Sequence, residues 1–118
     1  MKKIIAAIVF IIPFAVYHQP VSASPCETQN NTAEMVECGE LKYKEADKEL
    51  NRVWQSLSEA SRNRLRQEQR NWIVNRDKKC TQEADETAEG GTMWPLIFLG
   101  CKGGETERRT EYLRQFRN

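Results

Sequence analysis

Histidine is all but missing from this chain. Its one copy in 118 residues, His18, falls in an apolar N-terminal stretch. Everything after that stretch therefore lacks the base of a Ser-His-Asp or Cys-His centre. Close cysteine pairs are missing too. Cys26, Cys38, Cys80 and Cys101 are spaced C-x11-C and then C-x20-C, with no CxxC. Without paired cysteines or a histidine, a zinc site lacks its usual ligands. From Ala33 to Ala88 there is no proline and one glycine, Gly39. No length of sequence alternates apolar and polar residues as a strand would, and nothing repeats. The longest apolar run, Ile4 to Val16, has 13 residues, too few to cross a bilayer comfortably. Carboxylates are plentiful, yet no two stand out as an acid-base pair. The chain reads as a non-enzyme that needs no cofactor.

What is present begins with a leader. Met1-Lys2-Lys3 is basic, Ile4 to Val16 is apolar, and Val21-Ser22-Ala23 places small residues at a cleavage site. That order of parts predicts a signal peptide over residues 1–23 and a folded domain over residues 24–118. Cys26 follows Ser24-Pro25, so no lipidation site is expected. The formal net charge is +1, and loss of Lys2 and Lys3 takes it to −1. A near-neutral domain is no general binder of nucleic acid or anionic membrane. The expected location is the periplasm or the outside of the cell, with no stable membrane insertion after cleavage.

The rest is helix-prone. Ser24 to Thr32 is polar and expected to be irregular, with Thr32 as a candidate cap. Tyr43, Ala46, Leu50, Val53, Trp54 and Leu57 fall at steps of three and four, which marks one apolar face. Ser58-Glu59 reads as a new helix start after a corner. A second face carries Leu65, Gln69, Trp72, Ile73, Arg76 and Cys80, so Trp54 and Trp72 are assigned to the core. Gly90-Gly91 ends that helix. The apolar run TMWPLIFLGC and the amphipathic segment Glu105 to Asn118 follow, separated by Lys102-Gly103-Gly104. The predicted fold is all-α: a small disulfide-stapled helical hairpin or bundle of three to four helices, with shorter elements packed across the hairpin.

A domain of this size has a marginal core, and an exported chain with an even cysteine count points to disulfides. Four cysteines permit three pairings. The local one, Cys26 with Cys38 and Cys80 with Cys101, is preferred because it pins the apolar run onto the hairpin. Each bond restricts the unfolded chain by roughly 3 kcal/mol. Arg76 lies on the inner stripe and needs an acceptor. Asp47 and Asn51 are expected to supply it across the hairpin, with Gln69 joining a polar clasp that sets helix register.

The ordered set Cys26, Glu34, Cys38, Ala46-Asp47, Leu50-Asn51, Leu65, Gln69-x-x-Trp72-x-x-x-Arg76-Asp77-x-x-Cys80 resembles a known family. The match continues through Gly90-Gly91-Thr92, Cys101 and Thr106-x-x-Arg109-Thr110-x-x-Leu113. It is similar to the LprI-type lysozyme-inhibitor N-terminal domain of bacterial exported proteins. The resemblance implies a helical, disulfide-bonded domain outside the cytoplasm, a protein partner, and inhibition of lysozyme. It carries no catalytic residues.

Two surfaces are candidates for a partner. One is the acidic stretch Glu83, Asp85, Glu86 and Glu89, which would attract a basic lysozyme. The other is Thr92, Met93 and Trp94 in the glycine-flanked turn, with Ile97 to Leu99 left to the core. The expected function is a binding module that occludes the cleft of lysozyme or another peptidoglycan hydrolase. Immunity to a periplasmic toxin, or a non-catalytic envelope role, are the alternatives.

Overall fold

The computed structural model describes residues 25–117, and the leader assigned to residues 1–23 lies outside them. Four helices follow in order: α1 (Pro25–Thr28), α2 (Thr32–Ser56), α3 (Glu59–Ala88) and α4 (Trp94–Arg114). No strand occurs among the described residues. The all-α, disulfide-bonded expectation holds.

Local chemistry fixes the helix starts. The cap of α2 is Asn31, not Thr32. Asn31 is extended and its side chain accepts from the Glu34 backbone N–H at 3.0 Å. Glu34 reaches back to accept from the Asn30 backbone N–H, the Thr28 hydroxyl and the Asn31 amide. These bonds, the Asn30 one foremost, hold the Glu34 carboxyl below its ordinary range. They also order the segment expected to be irregular, where α1 makes one helical turn. The Cys26–Cys38 bond ties that turn to α2. At the next corner Leu57 and Ser58 are both extended, and Ser58 caps α3 by accepting from the Ser61 N–H at 3.1 Å. The corner sits where the sequence placed it. Gly90, at φ 66°, ends α3 in a conformation that glycine adopts freely.

The bundle differs from a hairpin crossed by short pieces. Helix α4 runs unbroken for 21 residues through Gly100, Gly103 and Gly104. It is the helix against which both α2 and α3 pack most closely. It lies antiparallel to α3: Asp85 meets Trp94 at one end and Glu68 meets Arg109 at the other. It lies parallel to α2: Gly39 faces Leu96 and Leu99, and Glu49 meets Arg114. Internal glycines cost a helix about 1 kcal/mol each. Helix α4 persists through them because residues on both sides are held by α2 and α3.

Packing changes along the bundle. Near the α2–α3 corner the core is aliphatic: Leu50, Val53, Leu57, Leu65 and Leu113. Trp54 and Trp72, assigned to the core, are half-buried and pack against its edge with Tyr112 and Phe116. Ile73, placed on the inner face by spacing, is 41% exposed. Further along, the buried residues of α3 and α4 are small: Cys80, Ala84, Thr106 and Thr110. There the Cys80–Cys101 bond does the fastening.

Between these zones lies a layer of cations and rings. The guanidiniums of Arg76 and Arg109 sit 5.0 and 5.7 Å from the Trp72 ring centre. Arg109 also stacks on Tyr112 at 4.6 Å, and Lys102 lies 4.5 Å from the Tyr43 ring. Outside the layer Glu49 joins α2 to α4 by accepting from Arg52 and Arg114 at 2.6–2.7 Å.

Two measurements follow from this packing. Leu113 is fully buried at the centre of the aliphatic core. Leu113→Ala is expected to lower stability by about 3 kcal/mol, with an unchanged denaturant slope in urea unfolding. The hydrogen bonds from Arg52 and then Arg114 lower the Glu49 carboxyl to about 2. Its stabilising contribution is present above the ordinary carboxyl value of 4.5 and is lost as pH falls toward about 2. Glu49→Gln is expected to lower stability near neutrality and to flatten the pH dependence across that window, so that the variant and the wild type converge in acid.

Candidate functional site

The turn from α3 to α4 brings the two candidate surfaces together. Glu83, Asp85 and Glu86 are exposed along the last turns of α3, and Glu89 is exposed just after it. Thr92 and Met93 are exposed in the turn, Met93 at 42%. Trp94 opens α4 half-buried. Its indole N–H donates to Asp85 Oδ1 at 2.7 Å, and its ring stacks on Phe98 with centres 4.9 Å apart. The acidic stretch and the aromatic turn are therefore one surface, joined by that hydrogen bond. Ile97, Phe98 and Leu99, left to the core by the sequence, are half-buried.

The position of these acids has an electrostatic cost. A helix carries partial negative charge at its C-terminus, and the last turn of α3 contains no basic residue to offset it. The start of α4, with no acid of its own in the first turn, supplies partial positive charge close by. That offsets some of the repulsion at Asp85. Glu86 is held by Gln82, whose amide donates to Oε1 at 2.7 Å. The acidic surface extends down α3 as a shallow depression lined by Asp77, Asp85 and Glu86, with Lys78, Thr81 and Gln82 between them. Beneath the turn, Lys79 and Arg108 both pair with Glu105. Those bonds hold the Glu105 carboxyl below its ordinary range, Lys79 foremost.

The polar clasp is rearranged. Arg76 is buried as expected, but Asp47 and Asn51 do not hold it. Its Nε donates to Asp77 Oδ1 at 2.9 Å on its own helix, and its Nη1 to Thr106 Oγ1 at 3.2 Å on α4. Asn51 instead donates to Asp47 at 3.3 Å. Gln69 accepts from Arg109 Nε at 2.8 Å. The cause is that the neighbouring Asp77 and, from α4, Thr106 are within hydrogen-bond reach of the arginine. Asp47, Asn51, Gln69 and Arg76 nonetheless face one cavity of about 300 Å³ between α2 and α3.

Arg109 is the buried cation whose role the sequence reading missed. It donates to Gln69 and Glu68, while its Nη2 is buried with no hydrogen-bond partner among the described residues. The signal was available: Thr106, Arg109, Thr110 and Leu113 repeat at steps of three and four, and all four are buried.

All four cysteines are paired, Cys26 with Cys38 and Cys80 with Cys101, and none is free. No helix of the described residues is long and apolar enough to cross a membrane. Among the same residues no cluster of three or more His, Cys, Asp or Glu side chains is placed to hold a metal ion.

Comparison with known proteins agrees with this framework. An uncharacterized protein of Rhizobium meliloti (strain 1021) is 30% identical over 95 residues, covering 66% of this chain and 68% of its own. No solved structure matches. The family described as "Lysozyme inhibitor LprI" matches residues 23–113, from the predicted cleavage site to the buried Leu113. The chain belongs to the LprI lysozyme-inhibitor family.

Proposed function

We propose that the protein is an exported inhibitor that blocks the substrate cleft of a basic, peptidoglycan-cleaving lysozyme with its α3–α4 turn. The observation that carries this reading is the Trp94–Asp85 hydrogen bond, which makes one surface of the acidic helix end and the aromatic turn. The family's name supports the activity. The leader read from the sequence and the two disulfides support an oxidising location.

Occlusion needs no chemistry from the inhibitor. Glu83, Asp85, Glu86 and Glu89 attract a cationic enzyme over long range. Met93 and Trp94 supply an apolar anchor of the kind that dominates interface energetics. The Cys80–Cys101 bond holds the base of the turn before the partner arrives, which lowers the ordering cost of binding.

The test is lysis of cell walls by lysozyme, followed by turbidity, with purified protein at low and high salt. Inhibition is expected at stoichiometric excess and is expected to weaken with salt. The charge variant Glu83→Gln/Glu86→Gln/Glu89→Gln is expected to lose about tenfold in potency, mainly through slower association. Trp94→Ala is expected to lose at least as much, through faster dissociation. Unchanged lysis at excess inhibitor overturns the reading. Equal inhibition at both salt concentrations removes the acids from the mechanism.

A further inference from the structure

We propose that the cavity between α2 and α3 binds an amino-acid zwitterion, either free or as a short peptide. The cavity is remote from the α3–α4 turn and independent of what that turn binds. Its volume of about 300 Å³ is at the small end of ligand sites. Arg76 lines it and is 7% exposed, with its guanidinium already engaged by Asp77 and Thr106. The α3 side adds Arg66 and Arg70, one helical turn apart. The α2 side adds Asp47 and Asn51 at the same spacing, with Leu50 and Trp54 beside them.

The charges on the two sides do not cancel each other. Elsewhere on this protein carboxylates and guanidiniums pair readily, as Glu49 does with Arg52 and Arg114. Among the described residues Arg66 donates only to the neutral side-chain oxygen of Asn63, at 2.8 Å. Arg70 makes no hydrogen bond or ion pair among the described residues. Among the same residues Asp47 accepts only from Asn51. Gln69 has its carbonyl oxygen taken by Arg109, which leaves its amide N–H groups as donors.

Two of the three guanidiniums in this cavity, and its carboxylate, thus form no ion pair among the described residues. A molecule lying between them satisfies both sides if it carries a carboxylate at one end and an ammonium at the other. The carboxylate goes to Arg66, Arg70 and the Gln69 amide, and the ammonium to Asp47. An apolar side group between the two lies along Leu50 and Trp54. A dicarboxylate is disfavoured by Asp47 and a simple cation by the arginines, so the arrangement selects a zwitterion.

The test uses the purified exported chain, titrated with leucine, leucinamide, N-acetylleucine and trileucine. Binding is read by calorimetry and by the indole signal of Trp54 in NMR. Leucine is expected to bind saturably. Leucinamide, which lacks the carboxylate, is expected to bind about tenfold more weakly or worse, and N-acetylleucine also more weakly. Trileucine tighter than leucine assigns the site to peptides and weaker assigns it to free amino acids; either result supports a zwitterion site. Arg70→Ala is expected to weaken leucine about tenfold and not to weaken leucinamide, which loses a repelling cation. Asp47→Asn is expected to weaken leucine and not to weaken N-acetylleucine, which loses a repelling anion. Circular dichroism checks that both variants fold, as their exposed or half-buried positions allow. Absence of saturable binding by the wild type overturns the proposal. So does leucine binding that Arg70→Ala and Asp47→Asn leave intact.

Discussion

The Cys80–Cys101 bond is the constraint on which the rest depends. Aliphatic burial is concentrated near the α2–α3 corner, in Leu50, Val53, Leu57, Leu65 and Leu113. Further along the bundle the buried residues of α3 and α4 are small, Cys80, Ala84, Thr106 and Thr110, and offer little apolar area. A covalent link restricts the unfolded chain whatever the area buried, by about 3 kcal/mol for a loop of this length. That is a large share of the ~5–15 kcal/mol that usually separates folded from unfolded domains. The bond also fixes which turn of α4 faces which turn of α3. From that register follow the Arg76–Thr106 and Trp94–Asp85 hydrogen bonds. The Cys26–Cys38 bond plays the same part at the start of the fold, where α1 alone is one turn long.

The arginine layer solves a second problem. Burying a guanidinium costs several kcal/mol unless its donors and its faces are both occupied. Arg76 meets this with Asp77 and Thr106 at its edges and with Trp72 and Tyr43 over its face. Arg109 meets it less completely, since Nη2 has no acceptor and the faces of Tyr112 and Trp72 supply what attraction remains. A layer with such demands loses hydrogen bonds and ring contacts when its helices shift. It specifies alignment where a uniform aliphatic core would tolerate sliding.

Much of this was legible in the sequence, and the boundary between legible and hidden is physical. Helix α2, the corner at Leu57-Ser58 and the stop at Gly90 each rest on signals contained within a few residues. The disulfide pairing was legible because both bonds are local in sequence. The centrality of α4 was not. Its first half is apolar and its second half polar, with Gly103 and Gly104 between, so no single stripe runs its length. Only contact with α2 and α3 makes it one helix. One partner of Arg76 was hidden for the same reason: Asp47 and Asn51 have the right chemistry and spacing, but it is Thr106 of α4 that accepts from it, beside the adjacent Asp77. In the candidate site, the acids and the Trp94 turn were each visible as composition. Their union depends on a hydrogen bond across the α3–α4 turn, which spacing alone does not specify.

Stability and placement of charge pull in opposite directions at the far end of α3. Four carboxylates near the C-terminus of a helix oppose its dipole, and neutral residues there would favour folding more. The same chain pairs its acids closely elsewhere: Glu49 with two arginines, Glu105 with a lysine and an arginine. Glu83 and Glu89 make no such pair among the described residues, and Asp85 is engaged only by the Trp94 indole. The fold therefore gains little from these carboxylates and tolerates them because a disulfide holds the helix ends together. Charge that folding does not use, presented on a cross-linked turn, is what recognition of a cationic partner requires.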